Sequence, residues 1–290
     1  MKRRLSLGLF LIYVFFAVLI VCMSSPVLML VTESVSSERA ILSGENGILP
    51  NPADMHFDSY KMVFANSSFV KSFFNTVSFT AIGTVVGLAA TAGFAYALSK
   101  PYLAGRKALL ILSIFVMIFS GGLIPTYLVM TELHLVNTFH ILWMAGSFSV
   151  ANMLILKNSF EALPIELEEA AIIDGANQFT ILTRVYLPLS KAVLAVIALY
   201  YAVDYWNNYY TSMIYTTRPA LKSLQLVLKD IIYSASDVFL ELYGSGSMGE
   251  VTTQSTIAAC VVVATLPICI VYPFLQKHFA KGVLVGSVKG

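Results

Sequence analysis

The sequence predicts an all-α integral membrane protein with six transmembrane helices, and three observations carry that prediction. Of the 290 residues, 58% are hydrophobic and only 12% are charged, about half the charged fraction of a typical soluble domain. The mean hydropathy of +0.79 is too high for a single core to absorb, so lipid must solvate most of the apolar side chains. Apolar runs of membrane length recur at about residues 5–31, 69–98, 108–130, 138–156, 192–213 and 255–276. The chain reads as one transmembrane domain over residues 1–290.

Residues 1–4 are basic and 5–31 nearly all apolar. The run exceeds the core of a cleaved signal peptide, so it is expected as a retained first span. Residues 32–66 are polar, with Asn51-Pro52 as a turn former, and predict a loop with some short helix. In the second span Gly83, Gly87 and Gly93 permit close helix packing. The third is interrupted by Gly121-Gly122 and Pro125, where a kink or a pathway-shaping break is expected. Residues 131–137 turn the chain into the fourth span. The fifth is followed by a second polar stretch, 214–254, expected as a loop, and the sixth is bent by Pro267 and Pro273. Cys22, Cys260 and Cys269 lie inside apolar runs as small packing residues.

Basic residues orient the chain. With the N-terminus inside, only Arg39, Lys61, Lys71, Arg218, Lys222 and Lys229 of the 18 Lys and Arg fall outside. Twice as many lie inside, as the positive-inside rule requires, so both termini and the loop at 157–191 are expected in the cytoplasm.

That loop is the longest polar interval rich in helix formers. Pro164 suits the start of a helix, and Glu166, Glu168 and Glu169 place negative charge at its positive end. Gly175 is a natural left-handed stop after Asp174. Asn177 can cap a second short helix that must end before Pro188. Two short helices joined at a glycine between membrane spans predict a docking element. Leu167, Ala170, Ala171 and Asp174 share one helical face. There the two alanines let a partner approach the backbone, and Glu169 suits a charge-assisted bond to a partner's Arg or Lys.

The fifth span holds a polar stripe. At about 100° per residue, Tyr200, Asp204, Asn207, Asn208 and Thr211 align, with Tyr201 at the edge. An ionisable residue at this depth faces a bundle interior or a wet cavity rather than lipid, so Tyr200, Asp204, Asn207 and Asn208 are candidates for lining a substrate pathway. Helix–helix hydrogen bonds for the asparagines are the alternative. No G-x-x-x-x-G-K-[ST] phosphate loop occurs. The four histidines show no catalytic or ligand spacing, and no basic cluster suggests nucleic acid.

Glu169-Ala170-Ala171, three residues, Gly175, nine residues and Val185-Tyr186-Leu187-Pro188 resemble the EAA loop of ABC-importer permeases, with Val185 replacing Ile. Gly121 to Tyr127 (GGLIPTY), Trp206-Asn207 and the tail KGVLVGSVKG at 281–290 resemble the carbohydrate-uptake branch. Within it they are most similar to LplC/YtcP-like permeases and, more distantly, to the smaller permease of the maltose importer. The resemblance implies a type I ABC importer permease fold in the bacterial cytoplasmic (inner) membrane. It implies ATPase coupling through Glu169, Ala170, Ala171, Asp174, Gly175, Leu187 and Pro188. The implied partners are a second homologous permease, an ABC ATPase dimer carrying ATP and Mg, an extracytoplasmic solute-binding protein and an oligosaccharide. No cofactor is expected in this chain. Residues 287–290 would reach between the ATPase subunits, and Asp204 stands where the branch would lead one to expect a small residue. An ABC permease for another cargo, a secondary carrier and a purely structural membrane subunit are the competing expectations. The carrier would show an inverted repeat, and none is visible.

Overall fold

The computed structural model describes residues 7–37, 40–41, 47–52, 55–245 and 254–286. In order, the helices are α1 (Leu7–Val35), α2 (Asp58–Ala65), α3 (Ser67–Ser99), α4 (Arg106–Ile118), α5 (Leu123–Glu132), α6 (Phe139–Met144) and α7 (Val150–Glu161). There follow α8 (Glu166–Ile173), α9 (Gln178–Ile181), a π-helical turn (Leu182–Tyr186), α10 (Leu187–Leu189), α11 (Lys191–Asn207), α12 (Tyr210–Tyr215), α13 (Leu224–Ser245) and α14 (Gln254–Gly286). Among the described residues the sole β-pairing is one antiparallel bridge, Ser36 with Met55. The chain forms two compact units, Met1–Val70 with Val227–Leu266, and Lys71–Leu226 with Pro267–Gly290.

In the first unit α1 is apolar on every side and exposed along most of its length, as a helix solvated by lipid should be. The polar segment after it is tied down locally. The Thr32 hydroxyl donates to the Ile48 carbonyl at 2.9 Å, and Ser34 Oγ pairs with the Tyr60 hydroxyl at 2.8 Å. Residues 224–245, expected as loop, are the helix α13. Its apolar residues recur at helical spacing and outweigh the polar composition that suggested a loop.

Three helices are long and apolar enough to cross a membrane, Gly8–Val35, Ser67–Ser99 and Gln254–Pro273; the number is five if two bent pairs each count as a span. The six expected are not reached among the described residues. The fourth, 138–156, divides into α6 and α7 because the Ser149 side chain accepts from the Asn152 N–H and starts a new helix. In the third, α4 and α5 meet at 112°. Gly122 at the break has φ 85° and ψ 171°, a conformation open essentially to glycine alone.

The core of the second unit is built on α3, α6, α7 and α11, with Phe79, Ile141, Met153, Phe160, Ile197, Tyr201 and Tyr205 buried. Two tyrosines of α11 lie against glycines of α3. A Cβ at Gly83 would fall 2.5 Å from the Tyr205 ring, and one at Gly87 would fall 3.2 Å from the Tyr201 ring and 3.0 Å from the Ser147 carbonyl. Both hydroxyls are engaged. Tyr205 donates to the Trp143 carbonyl at 2.6 Å, and Tyr201 accepts from the Ser149 N–H at 2.9 Å while pairing with Thr91 at 2.7 Å. Gly93, also flagged by sequence, has nothing within 4 Å of its would-be Cβ.

Alanine favours a helix interior over glycine by about 1 kcal/mol, but at position 83 it meets a ring that cannot yield. We expect Gly83→Ala to cost a net of about 1–3 kcal/mol by overpacking, lowering the thermal midpoint of the detergent-solubilised chain. Gly93→Ala should match or exceed the wild type. Equal midpoints for the two variants would contradict this packing.

Candidate coupling site

The sequence 163–188 builds two short helical arms. α8 opens with Glu166, Glu168 and Glu169 in its first turn and ends at Asp174. Gly175 follows at φ 78°, the left-handed conformation expected of a glycine stop. Asn177 Oδ1 accepts from the Thr180 N–H at 2.8 Å and caps the second arm. That arm was expected to end before Pro188 and instead runs through Leu189. Pro188 has no N–H and its ring crowds the carbonyl four residues back. The π turn absorbs this: the Leu187 N–H bonds the Leu182 carbonyl, one residue further back than in an α-helix.

The centre of the element is Glu168, which sequence reasoning treated only as an N-terminal charge. It is 2% exposed. Its Oε2 accepts from Lys100 Nζ at 2.6 Å and from the Tyr186 hydroxyl at 2.7 Å, and its Oε1 from the Tyr102 hydroxyl at 3.0 Å. Lys100 follows the end of α3, and its ammonium lies 4.2 Å from the Tyr96 ring centroid and 3.9 Å from that of Tyr186, within cation–π range. The Tyr96 hydroxyl donates to Gln178 Oε1 at 2.6 Å. Alongside, Arg106 pairs with Glu161, its Nε donates to the Leu98 carbonyl at 2.8 Å, and Lys157 pairs with Glu161 at 2.8 Å.

Burial pushes the Glu168 carboxyl up, but the hydrogen bonds from Lys100, Tyr186 and Tyr102 outweigh it and hold the group below its ordinary 4.5. Burial lowers the Lys100 ammonium from 10.5 against the opposing pull of Glu168.

The predicted coupling residues divide between two faces. Glu169, Ala170, Asp174, Gly175 and Pro188 are exposed. Ala171 lies one helical turn from Glu168 and turns inward with it, half-buried against the core, as is Leu187. The outward surface also carries Ile165, Leu167, Ile172, Ile173 and Phe179, with Ile173 85% exposed. Of this apolar patch only Leu167 was singled out from sequence.

α11 presents three faces. Tyr201 and Tyr205 point into the core. Leu199, Val203 and Trp206 border an apolar cavity of about 390 Å³ shared with Val77, Thr80 and Thr84. Tyr200, Asp204 and Asn207 form the exposed third face, as the spacing predicted. Asn208 and Thr211 leave the stripe because α11 ends at Asn207. The backbone of Asn208 is extended, and its Oδ1 accepts from the Thr211 N–H at 3.0 Å. An asparagine that hydrogen-bonds nearby backbone in this way competes with helix continuation.

Helices long and apolar enough to cross a membrane, with a helix pair anchored by Lys100 and Glu168 between them in the sequence, mark a membrane protein. The chain belongs to the family of binding-protein-dependent transport system inner membrane components, whose sequence profile matches residues 98–285, and is a permease subunit of an ABC importer rather than an enzyme. It is 38% identical to the polygalacturonan/rhamnogalacturonan transport system permease protein YtcP of Bacillus subtilis (strain 168) over 290 residues, covering all of both chains. It is 41% identical to the protein LplC of the same organism over 265 residues, 91% of this chain and 89% of LplC. Its fold matches a chain in the crystal structure of a bacterial ABC transporter involved in the import of the acidic polysaccharide alginate. There the TM-score is 0.83 and the identity 31%, over 93% of this chain and 95% of that one. The branch suggested by the sequence motifs is the one to which these relatives belong.

With its folded value depressed, the Glu168 carboxylate stabilises the element fully above 4.5 and loses that effect as pH falls through the lower folded value. Protection against hydrogen exchange in residues 163–188, corrected for the intrinsic pH dependence of the exchange rate, should therefore hold from neutral pH down to 4.5 and fall only below it. Glu168→Leu strands the ammonium of Lys100. It should loosen the element already at neutral pH, by about 3–5 kcal/mol. Equal exchange in the wild type and the variant at pH 7 would show that the pair does not hold the element.

Proposed function

We propose that this chain is a permease subunit through which a cytoplasmic ATPase drives oligosaccharide uptake, with α8 as the ATPase-docking helix. The observation that carries the reading is the division of α8 into two faces: Glu168 and Ala171 anchor it inward, while Glu169, Ala170, Asp174 and a row of apolar side chains face out. A rigid helix with a small-residue, apolar and acidic outer face suits a cleft in a partner. The cargo class rests on YtcP, whose name specifies polygalacturonan and rhamnogalacturonan, and on the alginate importer.

In this scheme ATP and Mg sit on an ABC ATPase dimer, and this chain pairs with a second, homologous permease. Both termini and α8 lie in the cytoplasm, as the basic-residue distribution supports. ATP closes the ATPase dimer and α8 moves with its cleft. The two permeases then exchange inward-open for outward-open states, and a solute-binding protein delivers sugar to the outward one. Tyr200, Asp204 and Asn207 supply exchangeable hydrogen bonds along the pathway, with Asn208 at its margin.

The test is to tag this chain, extract it gently and identify what co-purifies. An ABC ATPase together with a second permease is the expected outcome. Recovery of the chain alone, active in uptake without ATP, would indicate a secondary carrier instead. Gly175→Val forces a β-branched residue into a left-handed conformation. It should leave the permease pair assembled and uncouple ATP hydrolysis from uptake; unaltered transport by this variant would count against the docking role of α8.

A further inference from the structure

We propose that Lys100 and Glu168 are positioning residues that form a clasp through which displacement of α8 is passed to α3 and α11. The inference rests on the docking role of α8 and names the route by which that docking acts.

The chain alone gives α8 poor mechanical connection. It is joined to its neighbours by Leu163-Pro164-Ile165 on one side and by Gly175, at φ 78°, and Ala176 on the other. A tilt of α8 could be taken up in these joints. Against the core α8 sets Ala171, with Leu163 and Ala176 lying in the joints themselves.

Glu168 bypasses both joints. It accepts from Lys100 and Tyr102, which follow α3 directly, and from Tyr186, in the π turn that leads into α11. One carboxylate therefore ties α8 to the end of α3 and to the arm Gln178–Leu189, which meets α11 at 88°. The helices α3 and α11 are locked to each other further along, Tyr205 against Gly83 and Tyr201 against Gly87, and α11 carries Tyr200, Asp204 and Asn207. The chemistry suits a registry device. A buried ion pair adds little stability over apolar residues of the same volume, but it fixes distance and direction. The rings of Tyr96 and Tyr186 both lie against the ammonium, at 4.2 Å and 3.9 Å from their centroids, and fix its place. Glu168, 2% exposed, is out of a partner's reach, whereas its neighbour Glu169 is exposed. Two adjacent glutamates thus divide the work, one facing out and one holding on.

The test uses the co-purified complex, with hydrogen exchange compared between nucleotide-free and ATP·Mg·vanadate states. In the wild type, nucleotide should change exchange in α8, α3 and α11 together. K100M/E168M removes both charges and leaves neither stranded. It should recover the same amount of ATPase and keep the response in α8, while the response in α3 and α11 falls about fivefold or more, the lower edge of coupling between sites. K100R keeps the cation and should restore it. If K100M/E168M does not accumulate, Y102F/Y186F, which strips two of the three donors, carries the same test at about twofold. A wild-type response in α3 and α11 of the variant overturns the clasp. So does loss of the α8 response along with ATPase recovery, which would make the pair a docking contact. A wild-type chain that recovers no ATPase sinks the docking reading itself, before any variant is compared.

Discussion

A carboxylate taken out of water must be solvated by the protein, and Glu168 is solvated by three donors from two places in the chain. Lys100, Tyr102 and Tyr186 converge on it, and each arrives because something else brings it there. The end of α3 delivers the lysine. The loop that follows delivers Tyr102. The π turn, forced by Pro188, sets where Tyr186 lies relative to α8. The position of the whole second arm follows from meeting this requirement. With Glu168 and Ala171 facing inward, the opposite side of α8 is left as an outward surface.

Much of this was legible in the sequence where a residue type has one physical use. Gly175 in the left-handed region, Asn177 as a cap and the acidic first turn of α8 all follow from local chemistry. Gly83 and Gly87 as sites of close approach follow from their lack of a side chain. The stripe of Tyr200, Asp204 and Asn207 follows from helical spacing alone. What could not be read was long-range. Nothing local distinguishes Glu168 from Glu169; only the fold shows that Lys100, 68 positions earlier, sits beneath one and not the other. A usable signal did exist, because a lysine directly after a long apolar helix, beside tyrosines, is a cation held at a helix C-terminus. The split of the fourth span and the helicity of 224–245 were missed for a different reason. Composition averaged over a window hides a capping serine such as Ser149 and undervalues amphipathic periodicity.

α11 joins the two themes. Its buried face is aromatic and hydrogen-bonded, with Tyr201 and Tyr205 satisfied by Ser149, Thr91 and Trp143. Its polar face is left to other contacts, and Asn208 is withdrawn from that face to accept from the Thr211 N–H in the first turn of α12. Pinned on one side by these bonds, α11 holds the groups of its polar face, Tyr200, Asp204 and Asn207, at a fixed spacing.

The break at Gly122 bears on what has to surround it. At 1.5 Å per residue α4 and α5 are about 20 Å and 15 Å long, each too short for a hydrocarbon layer of about 30 Å, and they meet at 112°. Neither half can be stable in lipid alone, because the carbonyls and N–H groups at the break need partners that lipid cannot give. Neither helix has a buried residue, so among the described residues the break stays uncovered, and water or another protein surface has to supply those partners.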